Sequence, residues 1–254
     1  MSSENPDISP NISIDVLAVG AHPDDADLGC SGTLLKMASL GYKTGILDMS
    51  RGEMGTRGTP EIRDQEAQDA AKVLGLSVRE SLGLPDAHIT CDENSRVAMI
   101  RFIRKYRPRV ILTHHWDEPH PDHVATARIV QEASFLSGLY KYDQDAVLPR
   151  YRPSAVAYFV ITRRSPPSFI VDISEFAAEK VRAIKCHKSQ FFNPDSKEPS
   201  SRVSAETFLR DVESRQRFWG ALIGSEHGEA FVVREALNVN DPVALLTRPM
   251  NLYS

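Results

Sequence analysis

The stretch ISIDVLAVGAHPDD, residues 12–25, decides the fold of this chain. Its apolar part, Ile12–Gly20, is typical of a strand that is buried over its second half, and polar residues follow at once. Leu28–Leu40 then has helical spacing and ends at Gly41, a residue common at helix C-termini. A strand, a polar turn and a helix in this order predict the first unit of an α/β fold with a mostly parallel sheet.

The same alternation continues along the chain. Later strands are predicted over Lys43–Met49, Val78–Leu82, Val110–His114, Ala155–Ile161 and Phe169–Ile173. Further helices are predicted over Thr59–Leu74, Val97–Tyr106, His123–Gly138, Phe176–Cys186 and Glu206–Leu222. Because we find no repeat and no low-complexity linker, we predict one domain over residues 1–254, a Rossmann-like three-layer sandwich with residues 1–11 flexible.

Composition excludes several classes of protein. The chain has 254 residues, 41% hydrophobic and 25% charged, which is ordinary for a globular domain. A net charge of -4 without a dense Lys/Arg run argues against nucleic-acid partners, and no apolar run reaches the roughly 20 residues that span a membrane. The polar N-terminus does not resemble a secretory signal, and the 3 cysteines lack zinc-finger spacing. We therefore expect a cytoplasmic protein.

The segment after the first strand carries candidate chemistry. His22, Asp24 and Asp25 lie where ligands gather in open α/β sheets, at the carboxyl end of a strand. A histidine nitrogen and a carboxylate oxygen suit Zn²⁺, and a second acid remains uncommitted. Taken alone, the segment could equally be a polar turn in which an aspartate caps the next helix.

A second segment, His120-Pro121-Asp122-His123, follows the fourth predicted strand and could reach the same edge of the sheet. His123 would complete a three-ligand set with His22 and Asp25, which is the usual number in a catalytic zinc site with an open position. His120 would lie nearby without coordinating. Fe²⁺ is compatible with the same ligands.

These motifs resemble the PIG-L/LmbE family of zinc-dependent N-acetylglucosaminide deacetylases. AHPDD after the first strand and HPDH after the fourth carry the resemblance, which extends over residues 12–231. The loop RGEMGTRGTPEIR, residues 51–63, is similar to the branch that deacetylates N-acetylglucosaminyl malate in bacillithiol biosynthesis. Family members often form trimers or hexamers, so the resemblance implies a homo-oligomer.

The resemblance also implies a mechanism. The same three residues become the zinc ligands, and Asp24 becomes the general base that activates water. A protonated His120 would help to stabilise the oxyanion formed from the amide carbonyl. Asp122 would hold His120 by a hydrogen bond and keep it cationic.

Substrate contacts follow from the resemblance as well. Arg63 would bind the malate carboxylate, and Asp86 would accept hydrogen bonds from sugar hydroxyls. His227 stands where the family commonly has tyrosine and would donate to the oxyanion. Pro119, however, occupies a place where the malate branch often has arginine, which leaves the malate assignment open.

Other functions stay as alternatives. The substrate could be a mycothiol-type conjugate, a chitooligosaccharide or a tailoring intermediate. A nucleotide-binding oxidoreductase would share the topology, but the first strand leads into GAHPDD rather than G-x-G-x-x-G. A non-catalytic module with structural zinc would normally supply four ligands.

Overall fold

Alternating strands and helices build the computed structural model, which describes residues 13–161 and 165–247. The strands are β1 (Val16–Gly20), β2 (Thr44–Asp48), β3 (Val78–Ser81), β4 (Val110–His114), β5 (Ala155–Phe159), β6 (Phe169–Asp172) and β7 (Gly228–Val232). The helices are α1 (Asp25–Ser39), α2 (Pro60–Leu74), α3 (Glu93–Tyr106), α4 (Pro121–Leu136), α5 (Ala177–Ile184), α6 (Phe208–Ala221) and α7 (Pro242–Leu246). Of these helices, none has the length and apolar character that a membrane crossing requires.

The described strands form a 7-stranded sheet in the order β3-β2-β1-β4-β5-β7-β6. Strands β1 to β5 are parallel, whereas β7 is antiparallel to both β5 and β6. In the register of β1 with β4, Val19 lies beside Thr113, so the segments that follow these strands leave the sheet side by side. The prediction of an α/β fold with a mostly parallel sheet is confirmed.

Alternate residues of β1 face opposite layers of helices. Leu17 and Val19 pack in an apolar cluster with residues of α3 and α4. Val16 and Ala18 pack in a second cluster with residues of α1, α2 and α5. The sheet is therefore the middle of three layers, and each face excludes water from an apolar core.

The boundaries of the elements differ from the prediction in places. Helix α1 begins at Asp25 rather than Leu28, and α3 begins at Glu93, where the Asp92 side chain caps the Ser95 amide at 2.9 Å. Strand β7 and helix α7 were not predicted. The segment 1–11, predicted to be flexible, lies outside the described residues.

Candidate active site

A tight turn after β1 places the first group of polar side chains. The backbone N–H of His22 donates to Asp25 Oδ2 at 2.8 Å, and the N–H of Asp24 donates to the carbonyl of His22 at 2.8 Å. A Cβ atom at Gly20 would lie only 3.0 Å from Cβ of Asp25, so a side chain there would require the turn to shift by a few tenths of an ångström. Glycine at this position therefore lets the first turn of α1 bring Asp25 back against the strand edge.

Asp25 lies between two histidines. Its Oδ2 atom is 3.1 Å from His22 Nδ1, and its Oδ1 atom is 3.3 Å from His123 Nε2. All three ligand atoms of this group lie within 4.8 Å of one another. His22, His120 and Asp122 form a second group at the same spacing. Residues that are 100 positions apart in the sequence are thus brought together at the carboxyl edge of the sheet.

Carboxylates surround the His22 ring. Besides Asp25, Asp86 Oδ1 is 3.0 Å and Asp122 Oδ2 is 3.4 Å from His22 Nε2. Burial on its own would lower the pKa of His22, but the three carboxylates outweigh burial and raise the pKa to about 12. Such an excess of negative charge suits a cation. Two imidazole nitrogens and one carboxylate oxygen are, in addition, a donor set that Zn²⁺ or Fe²⁺ accepts.

His114 also belongs to the site, which the sequence alone does not show, because there it simply ends a strand. It ends β4, is fully buried, and its Nε2 accepts a 3.0 Å hydrogen bond from the N–H of Ala21. The same atom is 3.2 Å from Asp25 Oδ2, and the ring stacks on His123 with centroids 3.9 Å apart. Burial, together with the charge of His123, lowers the pKa of His114 to about 4. His114 therefore packs against both Asp25 and His123 without adding a positive charge beside them.

Asp122 does not hold His120 in the way that the sequence analysis expected. The Asp122 carboxylate accepts hydrogen bonds from the N–H groups of Ala87 at 2.7 Å and Ile89 at 3.3 Å. Only its backbone N–H reaches His120, donating to Nδ1 at 3.2 Å, because His120 caps the start of α4. Burial and the charges of His123 and His22 lower the pKa of His120. Because Nδ1 accepts this hydrogen bond, the proton of a neutral His120 ring lies on Nε2.

Asp24 and Arg63 lie together. Arg63 is 3% exposed, and its Nη2 is 3.5 Å from Asp24 Oδ1. Its Nη1 donates to the carbonyl of Gly52 at 2.8 Å. Gly52 has a φ of +68°, and a side chain there would collide with the guanidinium. The loop over residues 51–58 thus folds around Arg63, which points at Asp24 rather than standing free to bind a substrate carboxylate.

The other two predicted substrate contacts lie in different places. Asp86 is at the site, where one oxygen faces His22 and the other accepts the N–H of Met54 at 2.8 Å. His227 precedes β7, and its N–H donates to Ser174 Oγ at 3.1 Å. Its carbonyl accepts the N–H of Ile173 at 3.0 Å. Asp86 thus lies beside His22, whereas His227 is not among the residues that line the neighbouring cavity.

A cavity of about 320 Å³ opens beside these histidines. It is lined by Asp25, Leu28, Glu118, Pro119, His120, Pro121, His123, Ile161, Arg202, Val203, Phe208 and Arg215. A larger cavity, about 880 Å³, lies elsewhere, along α4 and β5. Of these two cavities, the smaller one combines candidate metal ligands with room for a substrate.

Comparison with known proteins identifies relatives of this chain. Residues 17–134 match the PIG-L family, described as GlcNAc-PI de-N-acetylase. A diacetylchitobiose deacetylase of Thermococcus kodakarensis is 29% identical over 187 residues, which cover 69% of this chain and 70% of the relative. A probable N-acetyl-alpha-D-glucosaminyl L-malate deacetylase 2 of Bacillus cereus is 29% identical over 192 residues, covering 69% and 83%.

Two further proteins match most of their own length. YaiS, an uncharacterized deacetylase of Escherichia coli, is 30% identical over 181 residues, 68% of this chain and 90% of YaiS. The crystal structure of the conserved protein TT1542 from Thermus thermophilus superposes with a TM-score of 0.81 at 34% identity, covering 89% of this chain and 98% of TT1542. Motifs, fold and relatives agree, and the chain belongs to the PIG-L (GlcNAc-PI de-N-acetylase) family.

Proposed function

We propose that this protein hydrolyses the N-acetyl group of an N-acetylglucosamine conjugate. The observation that carries the proposal is the Asp25 carboxylate between His22 and His123, with Asp24 adjacent and a cavity alongside. Relatives named as deacetylases of diacetylchitobiose and of N-acetylglucosaminyl malate support it. The family and the site thus point to the same class of reaction.

His22, Asp25 and His123 would hold a divalent cation, which we propose to be Zn²⁺, with Fe²⁺ as the alternative. When bound, such an ion polarises a carbonyl group and makes water more acidic. His114 would keep Asp25 and His123 in place, because it contacts both. Asp86 and Asp122 would orient His22 through its Nε2 side, as supporting carboxylates do at metal sites.

Asp24 would act as the general base. It would take a proton from the water that attacks the amide carbon and then give that proton to the departing amine, so that acetate and a free amine result. His120, neutral and protonated on Nε2, would donate a hydrogen bond to the oxygen that gains negative charge. This role needs only an N–H group, so the cationic state that the sequence analysis expected is not required.

The finer assignment of substrate is N-acetylglucosaminyl malate, an intermediate on the way to bacillithiol. The loop over residues 51–63 and the relative from Bacillus cereus support it. The chitobiose deacetylase is equally similar, at 29% identity, so a test with several substrates must decide between the two conjugates.

A cytoplasmic location belongs to the same proposal, since the 3 cysteines are free thiols. A trimeric or hexameric assembly remains a prediction.

The proposal is tested by measuring acetate released from a panel of substrates. The panel contains N-acetylglucosamine, its malate glycoside, its inositol conjugate and N,N′-diacetylchitobiose. We expect turnover of the malate glycoside to be fastest. Acetate from none of the four, with metal bound and in the absence of chelator, would contradict the proposed function. Faster turnover of another conjugate would keep the reaction and replace the substrate.

Arg63→Ala should lower kcat on N-acetylglucosamine and on its malate glycoside alike. The reason is that Arg63 contacts Asp24 and the loop that closes over it. Loss of a charge-assisted contact costs roughly 1.5–3 kcal/mol, or about one to two decades in rate. Arg51→Ala is the matched control, because Arg51 lies on the same loop but pairs with Asp64 at the surface. A loss confined to the malate glycoside would instead assign Arg63 to its carboxylate.

A further inference from the structure

Two arginines are among the described residues that line the cavity. Arg202 belongs to the segment before α6, and Arg215 lies on α6 itself. The same cavity is lined by Pro119, the position where the malate branch of the family often has arginine, and by His123. Pro119 carries no charge, but two arginines from a later part of the chain line the same cavity.

These two guanidinium groups lack partners among the described residues. Neither side chain makes a hydrogen bond or an ion pair there, whereas Arg217 on the same helix pairs with Glu213 at 3.0 Å. Arg215 is half-buried, and burial lowers its pKa, as does the nearby charge of Arg202. Asp211 and Glu118 act in the opposite direction but do not offset burial. A desolvated guanidinium without an ion-pair partner favours an anion as ligand.

The remaining walls of the cavity restrict the size and kind of that anion. Leu28, Val203, Phe208 and Ile161 give the lining an apolar character around the two arginines. The cavity has a volume of about 320 Å³ and is also lined by His120 and His123. It has room for a sugar and a short substituent. A planar guanidinium fork matches the geometry of a carboxylate.

We propose that Arg202 and Arg215 form the subsite for a carboxylate carried by the aglycone of the substrate. The enzyme then selects anionic conjugates of N-acetylglucosamine over neutral ones. This inference rests on the proposed function, and it assigns recognition of the carboxylate to α6 and the segment before it, not to Arg63.

The test compares two substrates that differ in charge, the malate glycoside and the neutral methyl glycoside of N-acetylglucosamine. Arg215→Gln and Arg202→Gln should each lower kcat/KM for the malate glycoside by about 10- to 100-fold, mainly through KM, and by less than about 3-fold for the methyl glycoside. Arg210→Gln is the matched control, because this substitution removes the same charge from α6. Arg210 is exposed and is not among the residues that line the cavity. The substitution should leave both values unchanged.

Direct binding separates this inference from the proposed function. Calorimetry uses metal-loaded protein that also carries Asp24→Asn, so that the malate glycoside is not hydrolysed during the titration. The malate glycoside should bind as tightly when Arg210→Gln is added to this protein, and 10- to 100-fold more weakly when Arg215→Gln or Arg202→Gln is added. Equal binding by all variants, or equal loss for the malate and methyl glycosides, would overturn the subsite. Selective binding together with no release of acetate by the metal-loaded wild type would uphold the subsite and overturn the proposed function.

Discussion

Asp25→Ala should yield protein that is purified without its metal ion and has no detectable deacetylase activity. Among the described residues, Asp25 is the one carboxylate whose two oxygens each face a histidine, His22 on one side and His123 on the other. Removal leaves two imidazoles, which are too few to hold the ion at a three-ligand site. Removal of a residue that only supports a metal ligand typically lowers metal affinity about 10- to 100-fold. The loss of affinity in Asp25→Ala should be larger than this.

The measurement is metal content per chain by mass spectrometry after purification from zinc-containing medium. His22→Ala and His123→Ala should lose the ion in the same way. His227→Ala is the control, because it removes a histidine that is not among the residues lining the cavity. Full occupancy in Asp25→Ala, His22→Ala and His123→Ala would contradict the proposed ligand set.

The second large effect concerns the base. Asp24→Asn should keep the metal ion and lose on the order of 10²–10⁴-fold in kcat, because general-base catalysis is removed while the ligands stay. Asparagine has the same size as aspartate and retains an oxygen for the neighbouring Nη2 of Arg63. The change therefore alters proton transfer more than it alters packing.

The Asp24 prediction is checked by kcat on the malate glycoside, with metal content and thermal unfolding measured on the same preparation. Asp64→Asn is a suitable control, since Asp64 pairs with Arg51 at the surface. A variant with metal bound and a rate near that of the wild type would exclude Asp24 as the base. The remaining candidates would then be the carboxylates that face His22.

The local sequence pattern was enough to predict the strands and turns that carry the site. An apolar run that ends in GAHPDD and another that ends before HPDH predict two parallel strands and the polar turns that follow them. The register of β1 with β4 places those turns side by side, as the sequence analysis expected of strand ends in one sheet. Strand β7 was not predicted, because glycine and glutamate at the start of GEAFV leave no apolar run, and its pairing with β5 and β6 defines it.

By itself, then, the sequence determined the α/β architecture, the family motifs and the choice of His22, Asp25 and His123 as candidate ligands. The tertiary structure decided where the neighbouring side chains point. It turned the Asp122 carboxylate to Ala87, 35 residues away, and directed Arg63 to Asp24, 39 residues away. It also brought Arg215 from α6 to the cavity of His123. Periodicity reports burial and backbone form along a short segment, whereas these contacts depend on how distant segments pack, which no local pattern encodes.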